Sequence, residues 1–179
     1  LAQMLLLAAD PSGFVLFIIP SVLVSISFAP ILLSISPTPA FEATQPMSLR
    51  QLVQISPLGC VGIFLLGGVF SAQFGMSAVY GAEVGLSVAQ ISLFAATFYI
   101  FATLLQYPLG WLSDRMDRRL LILMTALVAC GGALIGYFFS HDYVLLLVAA
   151  GLIGGFSNPL YSLLIAHAND YLDFEDMAA

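Results

Sequence analysis

Gln106-Tyr107-Pro108-Leu109-Gly110-Trp111-Leu112-Ser113-Asp114-Arg115-Met116-Asp117-Arg118-Arg119 runs out of one long apolar stretch and into another. The flanking stretches, 89–112 and 119–140, are each about as long as the ~20 residues a helix needs to cross hydrocarbon. The charged residues between them therefore form a tight turn at a membrane surface.

The same pattern continues in both directions. Further spans are expected at about 57–80 and 143–167, and an apolar stretch at 14–36 carries Pro20 and Pro30 as kinks. Residues 1–9 read as the end of another span, followed by the turn Asp10-Pro11-Ser12-Gly13. Residues 37–56 are a polar loop with Pro37, Pro39, Glu42, Pro46 and Arg50. The runs are continuous and lack the alternation of a membrane barrel, and a helix satisfies its backbone within the segment, as hydrocarbon demands. The expected fold class is all-α, a polytopic transmembrane helical bundle. Its parts are 1–36 (the end of one span, a turn and a second span), the loop 37–56, four spans over 57–167, and the start of a loop at 168–179.

Composition agrees. Of 179 residues, 61% are hydrophobic and 8% charged, against about 45–50% and ~25% in soluble domains. Lysine is absent and the net charge is −6, which excludes nucleic acid as a partner because that needs clustered basic residues. Cys60 and Cys130 sit in apolar runs and read as small buried hydrophobes. The chain opens on Leu1 inside an apolar run and stops at Asp176-Met177-Ala178-Ala179, so a piece truncated at both ends is expected. Met47 is ordinary sequence, and no signal-peptide pattern is visible.

Orientation follows from the four arginines. Arg50 precedes the span at 57–80, and Arg115, Arg118 and Arg119 follow the span at 89–112. Two crossings separate these loops, so all four fall on one side; the opposite loops 10–13, 81–88 and 141–142 hold no Lys or Arg. The positive-inside rule makes the arginine side cytoplasmic, with the tail from 168 on the same side.

The turn resembles the signature loop of the major facilitator superfamily, roughly G-x-L-[AS]-D-[RK]-x-G-R-[RK]. Gly110, Leu112, Ser113, Asp114, Arg115, Arg118 and Arg119 match; Asp117 stands where the family has glycine. The resemblance implies the C-terminal half of a carrier, from about the end of its fifth helix to its tenth, with 14–36 as the sixth helix and 57–167 as the seventh to tenth. The Gly-Trp-Leu-Ser-Asp-Arg form is similar to a subgroup of bacterial carriers with poorly defined substrates. Gly110 lets another helix approach. Asp114 suits a site near a helix N-terminus and is within reach of Arg118. Asp117 either takes the left-handed conformation of the family glycine or caps the helix that follows. The resemblance adds a gating role for this loop; the plainer reading is a positive-inside hairpin.

No Asp, Glu, Lys or Arg lies well inside a complete span, so an ion-coupling site is not expected in these membrane segments. Glu83 and His167 read as solvated loop or interface residues. Uncharged polar residues recur at helical spacing. Gln73, Ser77 and Tyr80 fall on one face of their span, Tyr99, Thr103 and Gln106 on one face of the next, and Asn158 and Tyr161 on one face of the last. By the resemblance, the seventh, eighth and tenth helices line a central cavity and the ninth is peripheral. Cavity lining and interhelical hydrogen-bonding glue account for the stripes equally well. Gly132/Gly136 and Gly151/Gly155 are small-xxx-small pairs for close packing or for bending. Pro159, beside Asn158, is the candidate hinge, since it removes a backbone hydrogen bond near mid-membrane.

No nucleotide loop, metal spacing or nucleophile elbow is present, so neither a catalytic residue nor a metal or other cofactor is expected. The expected function is secondary active transport of a small solute by alternating access. Its partners are that solute, with or without a coupling proton or ion, the lipid bilayer, and a missing N-terminal half. The expected location is the bacterial inner membrane. The alternative is a non-transporting sensor or assembly protein on the same scaffold.

Overall fold

The computed structural model describes residues 14–33 and 48–172, which fall into two compact units, one within 1–43 and one within 44–179. Residues 1–13, 34–47 and 173–179 lie outside the described residues, and with them the expected turn at 10–13, most of the loop at 37–56 and the acidic tail.

The first unit contains α1 (Val15–Ser27) and the short α2 (Ala29–Leu32). The expected kink at Pro30 is a break one residue wide at Phe28. Pro30 has no N–H to give back to the turn before it, and the Phe28 N–H bonds Ser25 at 3.3 Å instead. Pro20 lies inside α1 without ending it. Ser21 and Ser25 return their hydroxyls to the carbonyls four residues back, at 2.8 and 2.9 Å, so neither leaves an unmet donor.

The second unit begins with α3 (Leu49–Ile55), where a polar loop is expected. Ser48 and Gln51 form a reciprocal capping box that satisfies two backbone N–H groups of its first turn. A long helical segment follows: α4 (Pro57–Ser71), a π-helical turn (Ala72–Met76) and α5 (Ser77–Glu83). It ends in a Schellman turn. Gly85 takes φ +80°, and Leu86 and Gly85 donate to Gly81 and Ala82 at 2.9 and 3.0 Å. Then come α6 (Val88–Ser113), α7 (Arg118–Phe138) and α8 (Tyr143–Asn169). Four segments, Pro57–Glu83, α6, α7 and α8, are long and apolar enough to cross a membrane. The described residues contain helices and no strand, so this is an all-α membrane bundle.

α8 is the axis. α6 and α7 both pack along it and barely meet each other, and α4 packs on it as well. The α6–α8 seam closes on glycine. A Cβ at Gly154 would collide with the backbone of Phe98, and one at Gly155 would stand 2.7 Å from Leu105. The α7–α8 seam closes on Gly132, where a Cβ would stand 2.7 Å from that of Leu152, and on Gly136 against Ala149. The glycine pairs are therefore packing surfaces. Gly67, Gly68 and Gly110 meet nothing within 4 Å, so the expected close approach at Gly110 is not made among the described residues. Cys60 is half-buried and Cys130 exposed, against the expectation that both are buried.

Candidate functional site

Two regions gather the candidate residues, one at the arginine-bearing end and one near the middle of the bundle.

At the arginine-bearing end, α6 stops at Ser113 and Asp114 is its C-cap. Asp117 is the N-cap of α7, with φ −59° and its carboxylate accepting from the Arg119 N–H at 2.8 Å. Of the two readings for Asp117, the cap is the one found; no described residue other than glycine has a positive φ. Arg118 does not pair with Asp114. It donates to Ser113 Oγ at 3.1 Å and to the Ala166 carbonyl at 3.3 Å, and forms an ion pair with Asp170 just beyond α8. Arg119 bonds the Tyr171 hydroxyl. Arg115 turns back over its own helix, 3.9 Å from the Trp111 ring centre and bonded to the Trp111 carbonyl. The Asp114 carboxylate makes no hydrogen bond among the described residues and sits at the C-terminal, negative end of α6, not at a helix N-terminus.

His167 corrects a second expectation. It is 5% exposed, with its ring 5.2 Å from that of Tyr171 and nearly perpendicular to it. It belongs to the packed end of α8, not to a solvated surface. Sequence reading passed over Asp170 and Tyr171 because their partners lie in a different helix; an arginine turn facing an acidic helix end was the available signal. Gly59, near the start of α4, faces Ala168 and Leu164. The start of that span, and Arg50 just before it, thus lie at the same end of the bundle as Arg118.

The middle region turns on the π segment. A π turn carries one more residue per turn than an α-helix, so residues before and after it do not keep a common face. The expected stripe of Gln73, Ser77 and Tyr80 is split accordingly. Gln73 is 6% exposed and turned to α8, where its Oε1 accepts from Ser157 Oγ at 3.3 Å. Its Nε2 is buried without a hydrogen-bond partner among the described residues. Tyr80 reaches α7 instead and donates to the Gly136 carbonyl at 3.3 Å. Ser77 is half-buried. Ser157 went unread from sequence because its partner lies on a different helix.

The other two stripes keep their faces. Tyr99, Thr103 and Gln106 are all exposed along α6, with the Thr103 hydroxyl returned to the Tyr99 carbonyl at 2.9 Å. On α8, Asn158 is half-buried and donates to the Gly154 carbonyl at 3.0 Å, while Tyr161 is exposed. Rings join the three segments: Phe74 stacks on Tyr99 at 5.8 Å, and Phe70 meets both Phe74 and Tyr161. Pro159 is buried, and α8 runs through it unbroken. Among the described residues no group of His, Cys, Asp and Glu could hold a metal.

Four membrane-length helices, an α6–α7 turn of signature form and a glycine-closed bundle define an architecture that the comparisons identify. The family model of the Major Facilitator Superfamily matches residues 58–178. The chain belongs to this superfamily. Among curated proteins, it is 30% identical over 111 residues to YfkF, an uncharacterized MFS-type transporter of Bacillus subtilis (strain 168); the match covers 60% of this chain and 28% of YfkF. No solved structure matches significantly. As a superfamily member the chain is a multi-pass membrane protein of the transporter class; it spans about a quarter of the length of the curated relative it matches.

Proposed function

We propose that this chain forms much of the C-terminal half of a secondary active carrier that moves a small solute by alternating access across the bacterial inner membrane, with or without a coupled proton or ion. An N-terminal half supplies the facing wall. Gln73, Ser77, Tyr99, Thr103, Gln106, Asn158 and Tyr161 belong to the wall of the solute path, Pro159 is the hinge, and the arginine-bearing end faces the cytoplasm.

One observation carries this reading. Polar side chains and rings from Pro57–Glu83, α6 and α8 meet around the buried Gln73–Ser157 bond, while α7 turns Leu120, Leu123, Met124 and Leu127 outward. Three helices thus share a mixed face and the fourth is dressed for lipid. Burying an amide in a membrane bundle costs free energy unless function or packing repays it.

The turn Gly110, Asp114, Arg115, Asp117, Arg118 and Arg119 takes the gating role. It ties the ends of α6 and α8 to the start of α7, so the three move as one body. The test is the complete reading frame in proteoliposomes with a single reporter, Gln106→Cys. A carrier labels at this position from each side in turn as its state changes. Labelling from one side under all conditions would reduce the protein to a fixed scaffold.

A further inference from the structure

The mixed face is built of rings and uncharged groups. Phe70 and Phe74 stack at 5.4 Å between centres, and Phe74 continues the row onto Tyr99 at 5.8 Å with planes 11° apart. Tyr161 joins from α8, 6.4 Å from Phe70. The row crosses from α4 through the π segment to α6 and α8, so it exists only when those segments are packed together. It is not sealed: Phe74, Tyr99 and Tyr161 remain 49%, 40% and 44% exposed. Beneath it lies the buried Gln73–Ser157 bond. Beside it are Thr103, whose hydroxyl hydrogen is committed to its own helix, and Asn158, which gives one of its two amide hydrogens to its own helix.

We propose that the solute is an uncharged molecule bearing a planar aromatic ring, and that Phe74, Tyr99 and Tyr161 are the side chains it lies against. This rests on the transport reading above and narrows it. Stacked and edge-on ring pairs are favoured beyond the area they bury, and the end of a stacked row presents a further free face. Lipid is the other candidate to cover such a face. Yet along most of its length the lipid-dressed helix α7 shows aliphatic side chains, Leu120, Leu123, Met124 and Leu127, and its exposed rings, Tyr137 and Phe138, stand only at its far end, where a span meets the interface. This wall itself offers no counter-charge. No acidic or basic side chain lies in the spans away from their ends, and a carboxylate or ammonium brought against this wall loses water without gaining a counter-charge. The hydroxyls of Tyr99 and Tyr161 form no hydrogen bond among the described residues and remain for a hydroxyl or carbonyl substituent on the ring.

The experiment uses the complete protein with Cys60→Ala, Cys130→Ala and the reporter Thr103→Cys, one turn from Tyr99. Maleimide labelling is timed with a naphthol, its saturated counterpart decahydronaphthol, or naphthoate present. The two alcohols share shape and lipophilicity and differ in the ring; naphthoate keeps the ring and adds charge. Naphthol is expected to slow labelling saturably, decahydronaphthol to need about tenfold more, and naphthoate to give no protection. Phe74→Leu and Tyr99→Leu should each raise the naphthol concentration required by about tenfold, while Tyr99→Phe should restore most of the protection. The restoring variant separates ring recognition from misfolding. Equal protection by both alcohols, protection by naphthoate, or protection indifferent to Phe74→Leu overturns the proposal. A reporter that opens to both faces yet ignores naphthol leaves the carrier standing and removes the aromatic solute. A reporter that never changes sides removes both.

Discussion

Arg118 and Asp170 stand 52 positions apart in the chain and form an ion pair that fastens the first residue of α7 to the C-terminal end of α8. The same guanidinium holds Ser113 at the end of α6 and the Ala166 carbonyl. One arginine thereby joins three helix ends. Asp114, the acidic residue of the signature turn, takes no part in this junction.

This arrangement sets the order of two substitutions. The pair is partly exposed, so it is worth at most about 1 kcal/mol, enough to shift a two-state ratio about fivefold. In the complete protein, Asp170→Asn should insert normally and shift the accessibility of a Gln106→Cys reporter by up to that factor. Asp114→Asn should shift it less. A larger shift from Asp114→Asn would mean that the gating contact lies outside the α6–α7–α8 junction.

Glycine substitutions should sort by seam. Gly154→Ala places a methyl group on the Phe98 backbone, which cannot yield as a side-chain tip can. A loss of about 1–3 kcal/mol is expected, read as a lower melting temperature of the purified protein. Gly67→Ala and Gly110→Ala meet open space and should stay within about 0.5 kcal/mol of the parent. Destabilisation by Gly110→Ala as large as that by Gly154→Ala would show a neighbour at the signature turn beyond those described.

Spans and turn were legible because hydrophobic length and arginine placement are one-dimensional signals. The bounds Val88–Ser113 and Arg118–Phe138 fall within a turn of those expected from sequence. The helix α3 was not read: 37–56 was expected to be a polar loop because of its prolines, although Ser48-x-x-Gln51 carries a capping-box pattern. The π turn was not legible. Nothing in Ala72-Gln73-Phe74-Gly75-Met76 marks it, and a regular helical period laid across it put Gln73 and Tyr80 on one face when they reach different helices. Asp170, Tyr171 and Ser157 were missed for a related reason: their roles are set by the helix opposite.

Orientation gives the third prediction. Arg50, Arg115, Arg118 and Arg119 gather at one end of the bundle, and Asp142 and Glu83 lie at the other ends of their helices. With the native cysteines removed, Asp142→Cys and Glu83→Cys should react with an impermeant maleimide in whole cells, and Met116→Cys only after lysis. External labelling of Met116→Cys would invert the protein and place the arginine junction outside.

Gln73 separates a solute path from interhelical glue. Its Nε2 is buried with no acceptor among the described residues, a state that costs about 1–3 kcal/mol. Gln73→Leu removes that donor while nearly keeping the volume. Ser157 would lose its partner, but its hydroxyl can turn to a carbonyl of its own helix, as Ser92 and Thr97 do at 2.9 and 2.7 Å. Stability of the purified protein should therefore hold or rise by up to about 1–2 kcal/mol. If Gln73 belongs to the transport path, solute movement should fall even so, because the unmet amide is kept for a state in which it finds a partner. The measurement is thermal stability and solute-dependent reporter accessibility on the same preparation. A less stable Gln73→Leu protein with normal accessibility changes would make Gln73 a strut between the π segment and α8. The polar face would then be packing, not path.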